Sequence, residues 1–89
     1  MVIVSQDKKQ IINFNVIDFV DVMPMDDGKF EIDANFAHCI TELGYYDTED
    51  RAKEVLEEII EKYENIQLLK YSRESLATRD NFVYRMPKE

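Results

Sequence analysis

The sequence predicts an α+β domain in which an antiparallel sheet of four or five strands, ordered as a meander, packs against one amphipathic helix. Three observations lead to this class. Short apolar segments with alternating polarity fill the first half of the chain, an Asp-Gly pair separates two of them, and a long segment with apolar residues at helical spacing follows. The 89 residues are enough for one domain, and residues 1–89 are expected to form a single one.

Strands are predicted where β-branched and aromatic residues alternate with polar ones. Pro24, Asp27 and Gly28 favour a tight turn, because proline interrupts a sheet ladder and Asp-Gly tolerates positive φ angles. The segment before this turn has an imperfect period, which indicates a bulge or cover on both faces. The predicted strands are residues 2–5, 11–14, 16–23, 29–36 and 39–46.

The strand at 29–36 has the clearest alternation in the chain. Such a pattern is typical of a strand with one buried face and one face in water. The expected buried residues are Phe30, Ile32, Ala34 and Phe36, and the expected solvent-facing residues are Glu31, Asp33 and Asn35.

A helix is predicted at residues 48–64. Thr48, or Asp47 before it, can accept a hydrogen bond from a free N–H of the first turn, and Asn65 is an acceptable end. Apolar residues recur at intervals of three and four, so they form one stripe for the core. The stripe consists of Ala52, Val55, Leu56, Ile59, Ile60 and Tyr63, and it is expected to meet Phe30, Ile32, Phe36 and Leu43.

The signals after this helix are weaker. Residues 66–71 fit a returning strand, and residues 72–80 fit a short helix or a loop. Residues 81–86 alternate again and fit a final strand. The C-terminal part is therefore predicted as strand or short helix.

The composition predicts the cellular compartment of the protein. Cys39 is the only cysteine, so no intrachain disulfide can form, which is typical of a reducing cytosol. The first apolar run is too short for a signal peptide, and no segment approaches the ~20 apolar residues of a membrane span. A cytoplasmic protein without membrane contact is expected. Small domains without disulfides often associate, so a homodimer is one expectation.

The charge is unevenly distributed along the chain. The net charge is −8, and residues 18–64 alone carry −11, from fifteen acids against four bases. Binding to a phosphate backbone needs clustered Lys and Arg, so direct nucleic-acid binding is not expected. A protein partner with a basic surface suits this balance better.

Residues for catalysis or metal binding are scarce. His38 and Cys39 are the only base–thiol pair, but neighbours on a strand point to opposite faces, so a turn histidine beside a half-buried cysteine is expected. One His and one Cys cannot build a usual zinc site, and the two glycines form no phosphate-binding loop. We expect no enzymatic activity, no catalytic residue, no metal and no cofactor.

The polar face of the predicted helix is crowded with glutamates. Pairs such as Glu57 and Glu61 repel and oppose the helix by a few tenths of a kcal/mol each. One interpretation is a solubilising surface made of good helix formers, and the other is an anionic surface that binds a basic partner. The candidate partner-binding residues are Glu54, Glu57, Glu58, Glu61, Asp26, Asp27, Glu31 and Asp33.

Three segments resemble a group of short, largely uncharacterised proteins encoded by phages and prophages of Gram-positive bacteria. These segments are "IVSQDKKQIINF", "LGYYDTEDRAKEVLEEII", which contains a T-E-x-R-A-x-x-V-L helix, and the closing "MPKE". The shared motifs are structural, and they assign no functional residue. The resemblance implies a non-catalytic protein of the host cytoplasm that binds a host component.

Three functions are compatible with this resemblance. The first is an inhibitor whose carboxylates imitate nucleic-acid phosphates in the basic groove of a host factor, such as a CRISPR nuclease or another nucleic-acid-binding defence protein. The second is an oligomer that binds a small nucleotide defence signal. The third is a structural or accessory phage protein that acts by self-assembly. The nucleotide binder would use Arg73, Arg79, Tyr84 and Arg85.

Overall fold

The computed structural model describes residues 1–69 and 82–89. Within them the chain forms one helix and two three-stranded sheets, which confirms the α+β class but not a single sheet of four or five strands. The elements are β1 (Val2–Val4), β2 (Ile11–Asn13), a 3-10 turn (Phe14–Val16), β3 (Phe19–Pro24), β4 (Phe30–Phe36), β5 (Cys39–Tyr46), α1 (Glu49–Leu69) and β6 (Val83–Arg85).

The first sheet joins the two ends of the described chain. Its central strand β1 is antiparallel to β2 and parallel to β6, and the Met86 N–H extends the pairing by donating to the Val4 carbonyl at 3.0 Å. The sheet does not continue into β3, because the Asn13 side chain accepts from the Asn15 N–H at 3.0 Å and starts the 3-10 turn. That turn carries the chain away from β2, so the predicted single sheet is divided in two.

The second sheet is the predicted antiparallel meander of β3, β4 and β5. The turn at 25–29 is confirmed: Gly28 has a φ of 85°, and the Asp27 carboxylate accepts from the Lys29 N–H at 2.9 Å. A bulge or cover on both faces was predicted for the first of these strands, whereas the register irregularity lies where β4 pairs with β5. Ile32 pairs with Gly44 while Asp33 pairs with Glu42, so β5 has one residue more than β4 there.

The helix begins as predicted and ends later. The Thr48 hydroxyl accepts from the Arg51 N–H at 3.1 Å, which confirms the cap. The helix continues to Leu69 because Ile66, only 1% exposed, extends the apolar stripe, and this burial outweighs the weak helix preference of Asn65. A strand at 66–71 is therefore wrong for residues 66–69. The remaining predictions between residues 70 and 81 lie outside the described residues, and β6 confirms the final strand.

The core lies between α1 and the two sheets. Ile32, Leu43 and three of the six stripe residues are buried in it, and Leu56 is half-buried. Ile60 is 45% and Tyr63 37% exposed, so their assignment to the core is wrong. Phe36, at the end of β4, is only half-buried. The buried hydrophobic residues are Ile3, Ile12, Ile32, Ala34, Leu43, Tyr46, Ala52, Val55, Ile59, Ile66 and Met86.

Gly44 lies where the two sheets approach each other. A Cβ atom at this position would be 3.0 Å from the Tyr46 hydroxyl oxygen and 3.1 Å from Gln6 Cβ. Gly44→Ala is therefore expected to lower the free energy of unfolding by about 1 kcal/mol, because one side chain must move. Urea denaturation would measure it, with Ala37→Gly, at an exposed turn residue of positive φ (53°), expected to show no loss. Equal stability of Gly44→Ala and wild type would contradict this contact.

Candidate functional site

The outer face of α1 carries a line of five carboxylates, which we call the acidic ridge. Its members recur at intervals of four and three residues, so they share one helix face directed away from the core. All five side chains are exposed, and over fourteen residues the ridge is about 21 Å long. The acidic ridge consists of Asp50, Glu54, Glu57, Glu61 and Glu64.

The structure divides the four predicted helix glutamates into two pairs. Arg51 lies 3.1 Å from the Glu54 carboxylate and 3.7 Å from that of Glu58. The Tyr84 hydroxyl also donates to Glu58 at 2.7 Å, so Glu58 helps hold β6 against α1. Burial, followed by this hydrogen bond, raises the pKa of Tyr84. Glu57 and Glu61 take part in none of the ion pairs found among residues 1–69 and 82–89, which leaves them as the most available carboxylates.

The predicted acids of the first half of the chain do not join the ridge. Asp26 and Asp27 are exposed in the turn between β3 and β4. Glu31 and Asp33 are each only 6% exposed, so the prediction that they face solvent is wrong. The reason is the central position of β4: Glu31 and Asp33 have a neighbouring strand on both sides.

Glu31 and Asp33 form a buried carboxyl pair on the sheet face opposite Ile32 and Ala34. Asp33 pairs with Asp21 of β3 and Glu42 of β5, so like charges flank it. Burial, then the adjacent Glu31 carboxyl, raises the pKa of Asp33 to about 7. Glu31 Oε1 and Asp33 Oδ1 are buried without a hydrogen-bond partner in the part of the chain that the structure describes. The two carboxyls can therefore hold one proton near neutral pH.

Tyr45 completes this row of side chains. Tyr45 lies opposite Glu31 in the β4–β5 pairing, and the neighbouring carboxyls of Glu31, chiefly, and of Glu42 raise the pKa of its phenol. The alternation of β4 showed that Glu31 and Asp33 share a face, but their burial follows from the strand order, which no local pattern reveals.

Only two of the four residues proposed for a nucleotide, Tyr84 and Arg85, lie in the described structure. Arg73 and Arg79 lie outside the described residues. Tyr84 donates to the Glu58 carboxylate, and Arg85 is exposed on β6. The Glu58 carboxylate bonded to Tyr84 would repel a phosphate group placed against this ring.

A cavity of about 640 Å³ is lined mostly by polar and charged side chains. Lys29, Arg51 and Lys88 bring three cations to it, and Asp47 and Glu89 bring two acids. Lys29 lies 3.9 Å from Asp47, and the Arg51 Nε–H donates to the Glu89 carbonyl at 3.0 Å. The cations are thus partly neutralised. The described lining includes neither Tyr84 nor Arg85.

An apolar groove of about 380 Å³ lies between α1 and the segment that leads into β3. The rings of Phe14 and Tyr63 pack with centroids 5.2 Å apart. Sequence analysis missed this groove because the helical stripe predicts complete burial, whereas the shape of the segment at 14–20 depends on the 3-10 turn. The apolar groove is lined mainly by Phe14, Ile17, Phe19, Leu56, Ile60 and Tyr63, and also by Asp18.

The structure also bears on the cysteine, metal-site and membrane predictions. Cys39 is exposed, not half-buried, because it opens β5 beside the turn at Ala37 and His38. Within residues 1–69 and 82–89, no three or more His, Cys, Asp or Glu side chains are placed to hold a metal ion. In the same described ranges, no helix is both long and apolar enough to cross a membrane.

Comparison of the chain with protein-family models, with curated proteins and with solved structures finds no significant match.

Proposed function

We propose that this chain is a non-catalytic, phage-encoded protein that inhibits a host factor by binding a basic surface that otherwise holds nucleic acid. The observation that carries the proposal is the acidic ridge: five exposed carboxylates in one line on one helix. A host defence protein that binds nucleic acid would present the clustered Lys and Arg that such a line can engage.

The spacing of the ridge is wider than that of phosphates in nucleic acid. Steps of three and four residues separate successive carboxylates by about 4.5 and 6 Å along the helix axis. Phosphates follow one another at about 3.4 Å along one strand of a duplex. The ridge therefore presents a sparser line of negative charge than nucleic acid, but one rigidly held by α1.

The ridge is not required for the fold. Asp50 with Glu54, and Glu57 with Glu61, are like-charge pairs four residues apart, and each destabilises the helix by a few tenths of a kcal/mol. The ion pair with Arg51 offsets the repulsion at Glu54, but no ion pair of the described residues offsets the repulsion between Glu57 and Glu61. A basic partner would relieve this repulsion on binding, which favours association.

The decisive variant is Glu57→Lys with Glu61→Lys, which replaces two ridge charges and leaves the core untouched. The host factor is first identified by affinity capture from a bacterial lysate, and its dissociation constant is then measured for wild type and variant. We expect the variant to bind at least roughly 100-fold more weakly, because attraction becomes repulsion at two contacts. Nucleic acid that the factor binds should compete with the wild-type protein.

A charge-matched control separates the ridge from net charge. Asp26→Lys with Asp47→Lys makes the same change of charge at exposed positions outside α1. We expect this control to retain most of the affinity. Equal losses in both variants, or no competition from nucleic acid, would count against binding through the ridge.

A further inference from the structure

The apolar groove is open to a partner. Phe19 is 56% exposed, Ile60 45% and Tyr63 37%, although all three are large and apolar. Single exposed apolar residues are common, but a continuous apolar patch with a concave shape is typical of a binding site. At about 380 Å³ the groove has room for one large apolar side chain.

Acidic residues border the groove on both sides. Asp18 belongs to its lining on the β3 side. On the α1 side, Glu57 and Glu64 are three residues before and four residues after Ile60, so both adjoin it on the helix surface. Lys53, the cation nearest to Ile60 along that side of the helix, is paired with Glu49 at 2.9 Å. The groove thus combines an apolar floor with a negative border.

We propose that the apolar groove binds an amphipathic segment of a partner protein, with one apolar side chain seated against Phe19, Ile60 and Tyr63. Lysines or arginines that flank this side chain contact Asp18, Glu57 and Glu64. The inference rests on the proposed function in one respect, since it takes the partner of the acidic ridge to be a basic protein. It adds that this partner is recognised by shape and apolar contact as well as by charge.

The acidic border of the groove favours a cationic segment over other occupants. A second copy of the chain packed groove against groove would bring its own Asp18, Glu57 and Glu64 to the same border, and like charges in close contact are unfavourable. An anionic lipid surface is disfavoured for the same reason. A cationic amphipathic segment complements both parts of the site, and binding of an apolar helix face in a groove is a frequent mode of peptide recognition.

The test uses a synthetic 14-residue peptide of leucine and lysine with helical spacing, labelled for fluorescence anisotropy. Phe19→Ala with Ile60→Ala should weaken its binding roughly tenfold or more, because two apolar contacts are lost. Ile11→Ala with Ile40→Ala is the matched control, since these residues are 74% and 69% exposed and do not line the groove. We expect the control to bind like wild type. Glu57→Gln with Glu64→Gln should also weaken binding and reduce its dependence on salt.

Several results would overturn the proposal. One such result is equal affinity of the Phe19→Ala/Ile60→Ala variant and wild type for the peptide. Another is that wild type binds a peptide with serine in place of leucine, or with glutamate in place of lysine, as tightly as the original peptide. Light scattering that shows a dimer dissociated by Phe19→Ala with Ile60→Ala would assign the groove to a second copy instead.

The two proposals can fail separately. If the groove variant keeps both the peptide and the host factor while the Glu57→Lys/Glu61→Lys variant loses the factor, the groove proposal is wrong and the ridge proposal stands. If the groove variant loses the peptide while the ridge variant keeps the host factor, the proposed function is wrong and the groove remains a peptide-binding site.

Discussion

Replacement of Gln6 with alanine is expected to lower the free energy of unfolding by about 2–3 kcal/mol. The Gln6 side chain joins the end of β1 to two other parts of the molecule. Its Oε1 accepts from the Tyr45 N–H at 2.7 Å, and its Nε2 donates to the carbonyls of Tyr45 and Lys88 at 2.9 Å each and, more weakly, to that of Pro87 at 3.3 Å. Alanine would remove all of these bonds at once.

The loss is large because several backbone groups lose a partner together. Each hydrogen bond contributes about 0.5–1.5 kcal/mol, and the substitution removes several of them together. The Gln6 N–H, which donates to the Leu43 carbonyl at 2.8 Å, is retained in the variant, so the effect isolates the side chain.

Urea denaturation followed by circular dichroism would measure this change. Gln10→Ala is the matched control, because Gln10 is exposed and its hydrogen bonds with Ser5 use backbone atoms of Gln10 only. We expect the control to change stability by less than about 0.5 kcal/mol. A Gln6→Ala protein as stable as the control would show that the side-chain bonds of Gln6 do not stabilise the contact between the two sheets.

Replacement of Asp33 with asparagine is expected to stabilise the protein by about 1–2 kcal/mol at pH 8 and to have little effect at pH 5. The pKa of Asp33 is raised to about 7 in the folded protein, first by burial and then by Glu31, against 3.8 for an ordinary aspartate. The folded state therefore binds this proton more tightly than the unfolded state. The associated stability is present below pH 4 and is lost as the pH rises through 7.

Asparagine keeps the shape of the side chain without the charge. It would remove the repulsion that an ionised Asp33 feels from Glu31 on its own strand and from Asp21 and Glu42 on the flanking strands. The free energies of unfolding of wild type and variant should therefore differ most at high pH.

Thermal and urea unfolding at pH 5, 6, 7 and 8 would give the pH dependence of each protein. Asp26→Asn, in the exposed turn, is the control for loss of one negative charge. If the difference between Asp33→Asn and wild type does not grow from pH 5 to pH 8, the carboxyl pair does not hold a proton.

Local patterns accounted for most elements of the fold. The strand at 29–36, the Asp27-Gly28 turn and the Thr48 cap each depend on neighbours within a few residues, and each was predicted correctly. The division into two sheets was not predictable in this way. It depends on one side-chain hydrogen bond at Asn13 and on the pairing of β1 with a strand from the other end of the described chain.

In the candidate site, too, features set by neighbouring residues could be predicted, and contacts between distant parts of the chain could not. Helical spacing predicts which glutamates lie on the outer face, because it depends only on the period of the helix. It does not predict that Tyr84 engages Glu58, or that Ile60 and Tyr63 remain exposed beside Phe19. Those contacts join residues that are distant in sequence, and local spacing carries no signal for them.

The parallel pairing of β1 with β6 has a consequence for the order of folding. Val2 pairs with Val83, so nearly the whole chain lies between the two partners, whereas β3, β4 and β5 are joined by short turns. Closing a long loop costs more entropy than closing a short one, and contacts of high sequence separation slow folding. The meander and α1 are thus expected to assemble first during synthesis. The β1–β6 ladder can close only after Val83–Arg85 leave the ribosome, which makes it the last part of the domain to form.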